Sequence, residues 1–190
     1  MQIVILIALS VFIGVVVLIS FVLCGILFLN IFTNRKDPPF VPVSKDILAD
    51  IIKSLKIKSG DTVYDIGCGD ARVLLACCKK HPDANYIGIE KNIYPYLVSL
   101  SRVWISGKSN SIRIKKRDFF FEDVSQAAGI FAYLYQHTMD DLLPKFEKEL
   151  SKGTRLVSCD FAFTNKEPGE VVELNRLSKS LCKKLYIYEF

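Results

Sequence analysis

No Asp, Glu, Lys or Arg occurs in the first 34 of the 190 residues, and residues 3–32 are apolar apart from Ser10, Ser20 and Asn30. A helix apolar on every face belongs inside a large protein or inside a membrane. A run of 30 such residues, at about 1.5 Å each, reaches roughly 45 Å, more than a hydrocarbon core of about 30 Å. A secretory signal would carry a positive residue ahead of an apolar run of about 7–15 residues. This segment has no such charge and is far longer. Residues 1–34 are therefore expected to form a transmembrane helix. Arg35 and Lys36 follow at once, while the other flank offers only the α-amino group. The positive-inside tendency then gives a single-pass membrane protein with its polar domain on the cytoplasmic side.

All 25 basic and 20 acidic residues fall in the remaining 156, so that part is about 29% charged, an ordinary density for a soluble domain. The mean hydropathy of +0.28 averages two different materials. Disordered chains and disulfide-stapled mini-proteins are excluded by this composition. The net charge of +5 reads as diffuse, a solvated surface rather than an address for nucleic acid or lipid. Six cysteines include Cys24 in the apolar run and the adjacent Cys77 and Cys78, with no C-x-x-C pair. They are expected to be reduced, mostly buried thiols, with no metal site.

Residues 35–43 read as a stiff linker, because Pro38, Pro39 and Pro42 lack donors and favour extended backbone. Residues 44–190 read as one domain. Ser44 suits the N-cap of a helix with Ile47, Leu48, Ile51, Ile52 and Leu55 on its apolar face. Strands are expected at 62–66, 86–89, 112–117, 130–135 and 154–161, then an antiparallel pair at 171–174 and 185–188. Helices alternate with them at 72–80, at 95–106 with Leu97, Leu100 and Trp104 spaced by three and four, and at 141–150. Pro144 fits the last of these if Asp140 is near its N-cap. This alternation implies an α/β fold, a Rossmann-like doubly wound, mostly parallel sheet with an antiparallel last strand, preceded by one transmembrane helix.

The most informative stretch is Asp65-Ile66-Gly67-Cys68-Gly69-Asp70-Ala71-Arg72, between the first strand and the first helix of the alternation. Glycines there permit positive φ and close approach of a ligand to a helix N-terminus. A dinucleotide fingerprint would need a small residue at position 72, where Arg72 stands; the small residue is Ala71. The spacing D-x-G-x-G-x-A resembles the first motif of class I S-adenosylmethionine-dependent methyltransferases. That resemblance implies S-adenosylmethionine as cofactor, with Asp65, Gly67, Cys68, Gly69, Asp70 and Ala71 around its methionine end. It further implies that Glu90, after the second strand, accepts from the ribose hydroxyls, and that Asp118 and Phe119, after the third, meet the adenine. Taken singly, Asp65 reads equally as a turn residue, Glu90 as a helix cap and Asp118 as an Asx-turn.

A narrower resemblance rests on the apolar segment, Pro39-Phe40-Val41-Pro42-Val43-Ser44, the stretch Ser59-Gly60-Asp61-Thr62-Val63-Tyr64 leading into the loop, and Val157-Ser158-Cys159-Asp160-Phe161-Ala162-Phe163. Together these are similar to the small membrane-anchored lysine methyltransferases that modify the adenine nucleotide translocase or the ATP synthase c-subunit, and to their bacterial relatives. Ala71 replaces that group's third glycine, and Asp160 stands where the group tends to have a basic residue. The resemblance implies a protein-lysine methyltransferase whose acceptor is a membrane protein, with no metal and no nucleic-acid partner. Tyr135, Gln136 and His137, after the fourth strand, are then the catalytic candidates for orienting an amine or taking its proton. His137 reads equally as a surface helix-entry residue. Phe119, Phe120, Phe121, Phe161 and Phe163 read as core rather than as a methyl-lysine cage. The segment from Tyr135 to Thr138 is not the Asn/Asp-Pro-Pro-aromatic motif of base and amide methylation, and Cys159, within a strand, reads as core rather than nucleophile. Two other activities fit the same loop: methylation of a lipid or lipophilic small molecule, and cofactor binding without catalysis.

Overall fold

The computed structural model describes residues 2–33, 41–174 and 182–190. Most of the expected linker, with Arg35, Lys36, Pro38 and Pro39, lies outside the described residues. The chain divides into two compact units, residues 1–37 and 38–190. The first is one helix, α1 (Gln2–Thr33), which by length and composition is able to cross a membrane. Two of its hydroxyls are satisfied internally, since Ser10 Oγ donates to Ile7 O at 2.8 Å and Ser20 Oγ to Val16 O at 2.9 Å. No polar side chain of the pair needs water.

The second unit opens with a short 3₁₀ turn, Lys45–Ile47, which Ser44 precedes without capping it through its side chain. Helix α2 (Leu48–Leu55) follows and buries Ile51 and Leu55, in line with Ile47. Strands and helices then alternate: β1 (Thr62–Ile66), α3 (Arg72–Lys80), β2 (Asn85–Glu90), α4 (Ile93–Ile105), β3 (Ile112–Lys116), β4 (Gly129–Ala132), α5 (Gln136–Glu149) and β5 (Arg155–Cys159). A hairpin of β6 (Glu170–Glu173) and β7 (Lys184–Glu189) completes the sheet. The order is β3-β2-β1-β4-β5-β7-β6, with the first five strands parallel and β7 antiparallel to both neighbours. The expected Rossmann-like sheet is present, and its strand order reverses between β1 and β4. Crevices at such a reversal take ligands at the carboxyl ends of the strands.

Each sheet face has its own apolar layer. Val63, Tyr86, Ile112, Ile114, Phe131 and Val157 lie on the face with α2, α3 and α4. Tyr64, Ile66, Ile89, Ile130 and Leu156 lie on the other face, with Met139, Leu142 and Phe146 of α5.

Several expectations change. β4 stops at Ala132 because its partner β5 pairs only through Ser158, so the aromatic run Tyr133 to Tyr135 leaves the sheet. Helix α5 begins at Gln136, so Tyr135 is its N-cap and Pro144 is interior. Asp140 caps nothing there: its carboxylate accepts instead from Thr164 N and Oγ1, both at 2.7 Å. On α4 the buried residues are Pro95, Ser99 and Val103, which leaves Leu97 and Trp104 facing outward. Of the six expected thiols, Cys159 and Cys182 are bonded to each other with Cα atoms 6.1 Å apart, because β7 returns antiparallel beside β5. Cys68, Cys77 and Cys78 are free and buried.

Gly88 in β2 is the position with least room. A Cβ there would stand 2.7 Å from Cys68 Sγ, 2.8 Å from Ile114 Cδ1 and 2.9 Å from Leu74 Cδ1. Gly88→Ala is expected to lower stability by about 1–3 kcal/mol through overpacking. Chemical denaturation checks this, and unchanged unfolding would show that the layer yields.

Candidate active site

The loop after β1 turns sharply because three residues in it adopt left-handed backbone, Gly67 (φ 77°), Gly69 (φ 55°) and Ala71 (φ 59°). Ala71 carries the strain that a third glycine would avoid, and it is fully buried at the N-cap of α3. Gly67 N and Cys68 N both donate to Ile89 O, at 2.9 and 3.0 Å. The loop is thereby held against the end of β2.

Glu90, 6% exposed, ties the loop to the next helix. Its Oε2 accepts from Gly69 N at 3.0 Å and its Oε1 from Asn92 N at 2.8 Å. Each carboxylate oxygen accepts more than one hydrogen bond, so these contacts are compatible with a diol at the same group.

Asp70 is 7% exposed and faces two guanidinium groups. Arg72 donates to it from Nε at 2.9 and 3.1 Å and from Nη2 at 2.7 Å, and Arg102 of α4 adds an ion pair. Burial opposes its ionisation, but the Arg72 hydrogen bonds and the two positive charges outweigh this and hold its carboxyl below the ordinary value. Arg72 also donates to Val43 O at 2.6 Å, fastening the entry segment to the loop. Sequence reasoning missed Arg72 as an anchor, and it missed Arg102, which lies 32 residues from its partner.

Asp65 differs from its neighbours. It lies in β1, one residue from the strand's end, at 2% exposure with no hydrogen bond or ion pair among the described residues. Burial pushes its carboxyl well up, and the charges of Glu90 and Asp70 push it further. Burial likewise raises the Cys68 thiol, aided by Asp65 and Glu90, so Cys68 offers no thiolate. A buried carboxylate without a partner, beside two others, is a place for a cationic ligand group.

At the far end of the crevice, Asp118 caps the 3₁₀ turn Phe119–Phe121 by accepting from Phe120 N at 3.1 Å, and its Oδ2 lies 3.1 Å from Lys91 Nζ. It therefore is an Asx-type cap, and the partly buried Phe119 beside it packs against the apolar layer of β1 and β2.

On the other side of the reversal, the ends of β4 and β5 carry an aromatic group. Tyr133 stacks on Phe161 at 6.4 Å between centroids, and Tyr135 meets Phe161 edge-on at 5.8 Å and His137 at 6.0 Å. Burial raises the Tyr133 hydroxyl, with Asp160 and Tyr135 adding to it. His137 and Tyr135 are exposed. The Gln136 amide is engaged with Ala162 O, with Thr164 Oγ1 at 3.1 Å and with Asp140 Oδ2 at 3.4 Å. It clasps the loop after β5 to α5. Phe163 is core, as expected, but Phe120 and Phe121 are exposed, at 37% and 74%, and are not.

Cys159, Asp160 and Cys182 gather within 4.8 Å as possible metal ligands. Their sulfurs are bonded to each other, and the Asp160 carboxylate accepts from Lys183 N at 2.7 Å and Lys184 N at 3.1 Å.

Residues 65–170 match the family model described as the ANTKMT methyltransferase domain. A protein-lysine N-methyltransferase of Saccharolobus islandicus is 30% identical over 149 residues, covering 78% of this chain and 92% of the relative. The human lysine N-methyltransferase of the ATP synthase c-subunit is 31% identical over 133 residues, covering 70% of this chain and 56% of its own length. The chain thus spans little more than half of that human relative. Among solved structures, an RNA methyltransferase from Salinibacter ruber in complex with S-adenosyl-L-homocysteine superposes with a TM-score of 0.72 at 25% identity, over 78% of this chain and 93% of that one.

The unpaired Asp65 makes a testable statement about pH. Because its folded value is raised, the stability it contributes is present below the ordinary aspartate value of about 3.9 and is lost as pH rises through the folded value. Asp65→Asn is therefore expected to melt higher than the parent near neutral pH, with the advantage vanishing toward about pH 4. Thermal unfolding across pH checks this, and a constant offset would contradict it.

Proposed function

The chain belongs to the ANTKMT methyltransferase family, and on that premise we propose that it moves a methyl group from S-adenosylmethionine to the side-chain amine of a lysine in a membrane protein. The buried, unpartnered Asp65 carries the reading. It suits a ligand bearing both an ammonium and a sulfonium, lying where the αL backbone of Gly67, Gly69 and Ala71 turns the chain into the start of α3. Glu90 accepts from the ribose hydroxyls while keeping the loop in place, and Asp118 and Phe119 border the adenine. The cofactor, when bound, supplies an activated methyl group.

The residues of this chain align and desolvate the acceptor. Tyr133, Tyr135 and Phe161 form an aromatic wall at the ends of β4 and β5, against which the lysine methylenes pack and a methylated ammonium is held by cation–π attraction. The amine must be neutral to attack in line. A desolvating aromatic wall lowers its pKa, and His137, exposed beside Tyr135, takes the released proton to solvent. Gln136 and Asp140 act as positioning residues, because they hold the loop that carries Phe161. α1 spans the membrane as a single-pass anchor, with the domain on the cytoplasmic side, and so keeps the enzyme near its substrate.

Transfer of labelled methyl groups from S-adenosylmethionine into membranes tests the reading. Label is expected in protein, as methyl-lysine on hydrolysis; label that extracts with lipid would replace the lysine assignment. Glu90→Ala removes charge-assisted hydrogen bonds worth about 1.5–3 kcal/mol each and is expected to weaken cofactor binding at least about tenfold by calorimetry. Asp140→Ala is expected to leave that binding nearly unchanged while lowering turnover by up to about a hundredfold, since misplacement of the loop by about 1 Å is enough.

A further inference from the structure

The positive charge that looks diffuse along the whole chain is concentrated. Residues 91–117 contain seven Lys and Arg and no Asp or Glu, so the other 163 residues carry 18 basic and 20 acidic side chains. In the fold this segment is α4 and β3, and β3 is the edge strand of the sheet. Three acids from elsewhere meet part of the charge, with Asp70 on Arg102, Asp118 on Lys91, and Glu122 on Lys115 and Arg117. Lys108, Arg113 and Lys116 have no ion pair among the described residues.

The same edge is apolar to an unusual degree. Opposite the buried Pro95, Ser99 and Val103 of α4 stand Tyr94, Leu97, Trp104 and Ile105, with Trp104 and Ile105 each 76% exposed. Lys108 lies in the tight turn that follows Trp104 and Ile105, where Gly107 N donates to Trp104 O at 3.0 Å and Lys108 N to Val103 O at 3.3 Å. A helix face that presents tryptophan, tyrosine and aliphatic side chains with unpaired cations beside them has the composition of an interfacial membrane-binding surface. Nucleic acid would use the cations and aromatics but gives Leu97 and Ile105 nothing to pack on.

We propose that the outer face of α4, with the turn that follows it and the β3 edge, docks the catalytic domain onto an anionic lipid bilayer. The choice of a bilayer draws on the anchor reading of α1, and the surface itself does not. Trp104 and Ile105 enter the headgroup region, while Lys108 and Lys116 lie against anionic lipid.

Trp104 is the sole tryptophan in the chain, which makes it its own reporter. The full-length protein is reconstituted with phosphatidylcholine vesicles carrying brominated acyl chains, with and without phosphatidylserine. Expected are a blue-shifted Trp104 emission and quenching that strengthens with phosphatidylserine and weakens with salt. Each Lys or Arg near an anionic surface strengthens attachment about fivefold, so the double variant Lys108→Gln, Lys116→Gln should lower the docked-to-undocked ratio about 25-fold. Retention of protein in carbonate-washed vesicles reads the anchor separately. Retention with an unquenched, water-like Trp104 overturns the docking surface alone. Quenching on anionic vesicles without carbonate-resistant retention supports the surface and removes the anchor. Neither retention nor quenching overturns both. Protection of Trp104 from iodide by RNA but not by vesicles, or by self-association in detergent, likewise overturns the proposal.

Discussion

The site depends on one buried carboxylate held by two backbone amides. Glu90 ends β2, yet its oxygens reach back to Gly69 in the loop after β1 and forward to Asn92 at the start of α4. Two segments that share no strand are thereby fixed to a single side chain. Because hydrogen bonds to an ionised group are roughly twice as strong as neutral ones, this bridge holds the left-handed turns of the loop without help from a ligand. The placement proposed for the cofactor end rests on that rigidity, and the missing Cβ at Gly88 adds to it by letting Cys68 approach the sheet closely.

Three carboxylates stand within the same few residues of loop and strand, and their surroundings separate them. Asp70 is neutralised by Arg72 and Arg102 and remains ionised in spite of burial. Glu90 is satisfied by amides. Asp65 has neither kind of partner among the described residues, and its charge is disfavoured by burial and by the other two. An arrangement of this kind stores an electrostatic cost in the protein that a cationic ligand removes on binding. The loop and the acid also oppose each other in stability, since the strained Ala71 and the desolvated Asp65 would both be easier to fold as other residues.

Local signals in the chain located the sheet and the loop well, because strand length, glycine spacing and apolar periodicity are short-range properties. Glu90 and Asp65 were legible for the same reason, sitting at strand ends. What could not be read was set by residues far apart. Asp140 looks like a helix cap, but it serves Thr164, 24 residues on. Cys159 finds Cys182 only because β7 runs back beside β5. The α4 helix misled in a different way: its spacing of Leu97, Leu100 and Trp104 suggests a core stripe, whereas the core side is Pro95, Ser99 and Val103. Periodicity reports that a helix has two faces and is silent on which one is covered. The surroundings of Tyr135, Gln136 and His137 likewise depended on where the loop after β5 falls.

The place of β7 in the sheet has a consequence for synthesis. It follows β6 in the chain, yet it lies between β5 and β6, and among the described residues β6 pairs with no other strand. Until β7 emerges, β5 presents an open edge of Leu156 and Val157, and the residues of β6 have no sheet to join. At about 5–20 residues per second the ribosome delivers the apolar first helix many seconds before that edge is covered. A nascent chain paused before β7 thus carries an adhesive, unfinished sheet while its apolar first helix is already outside the ribosome.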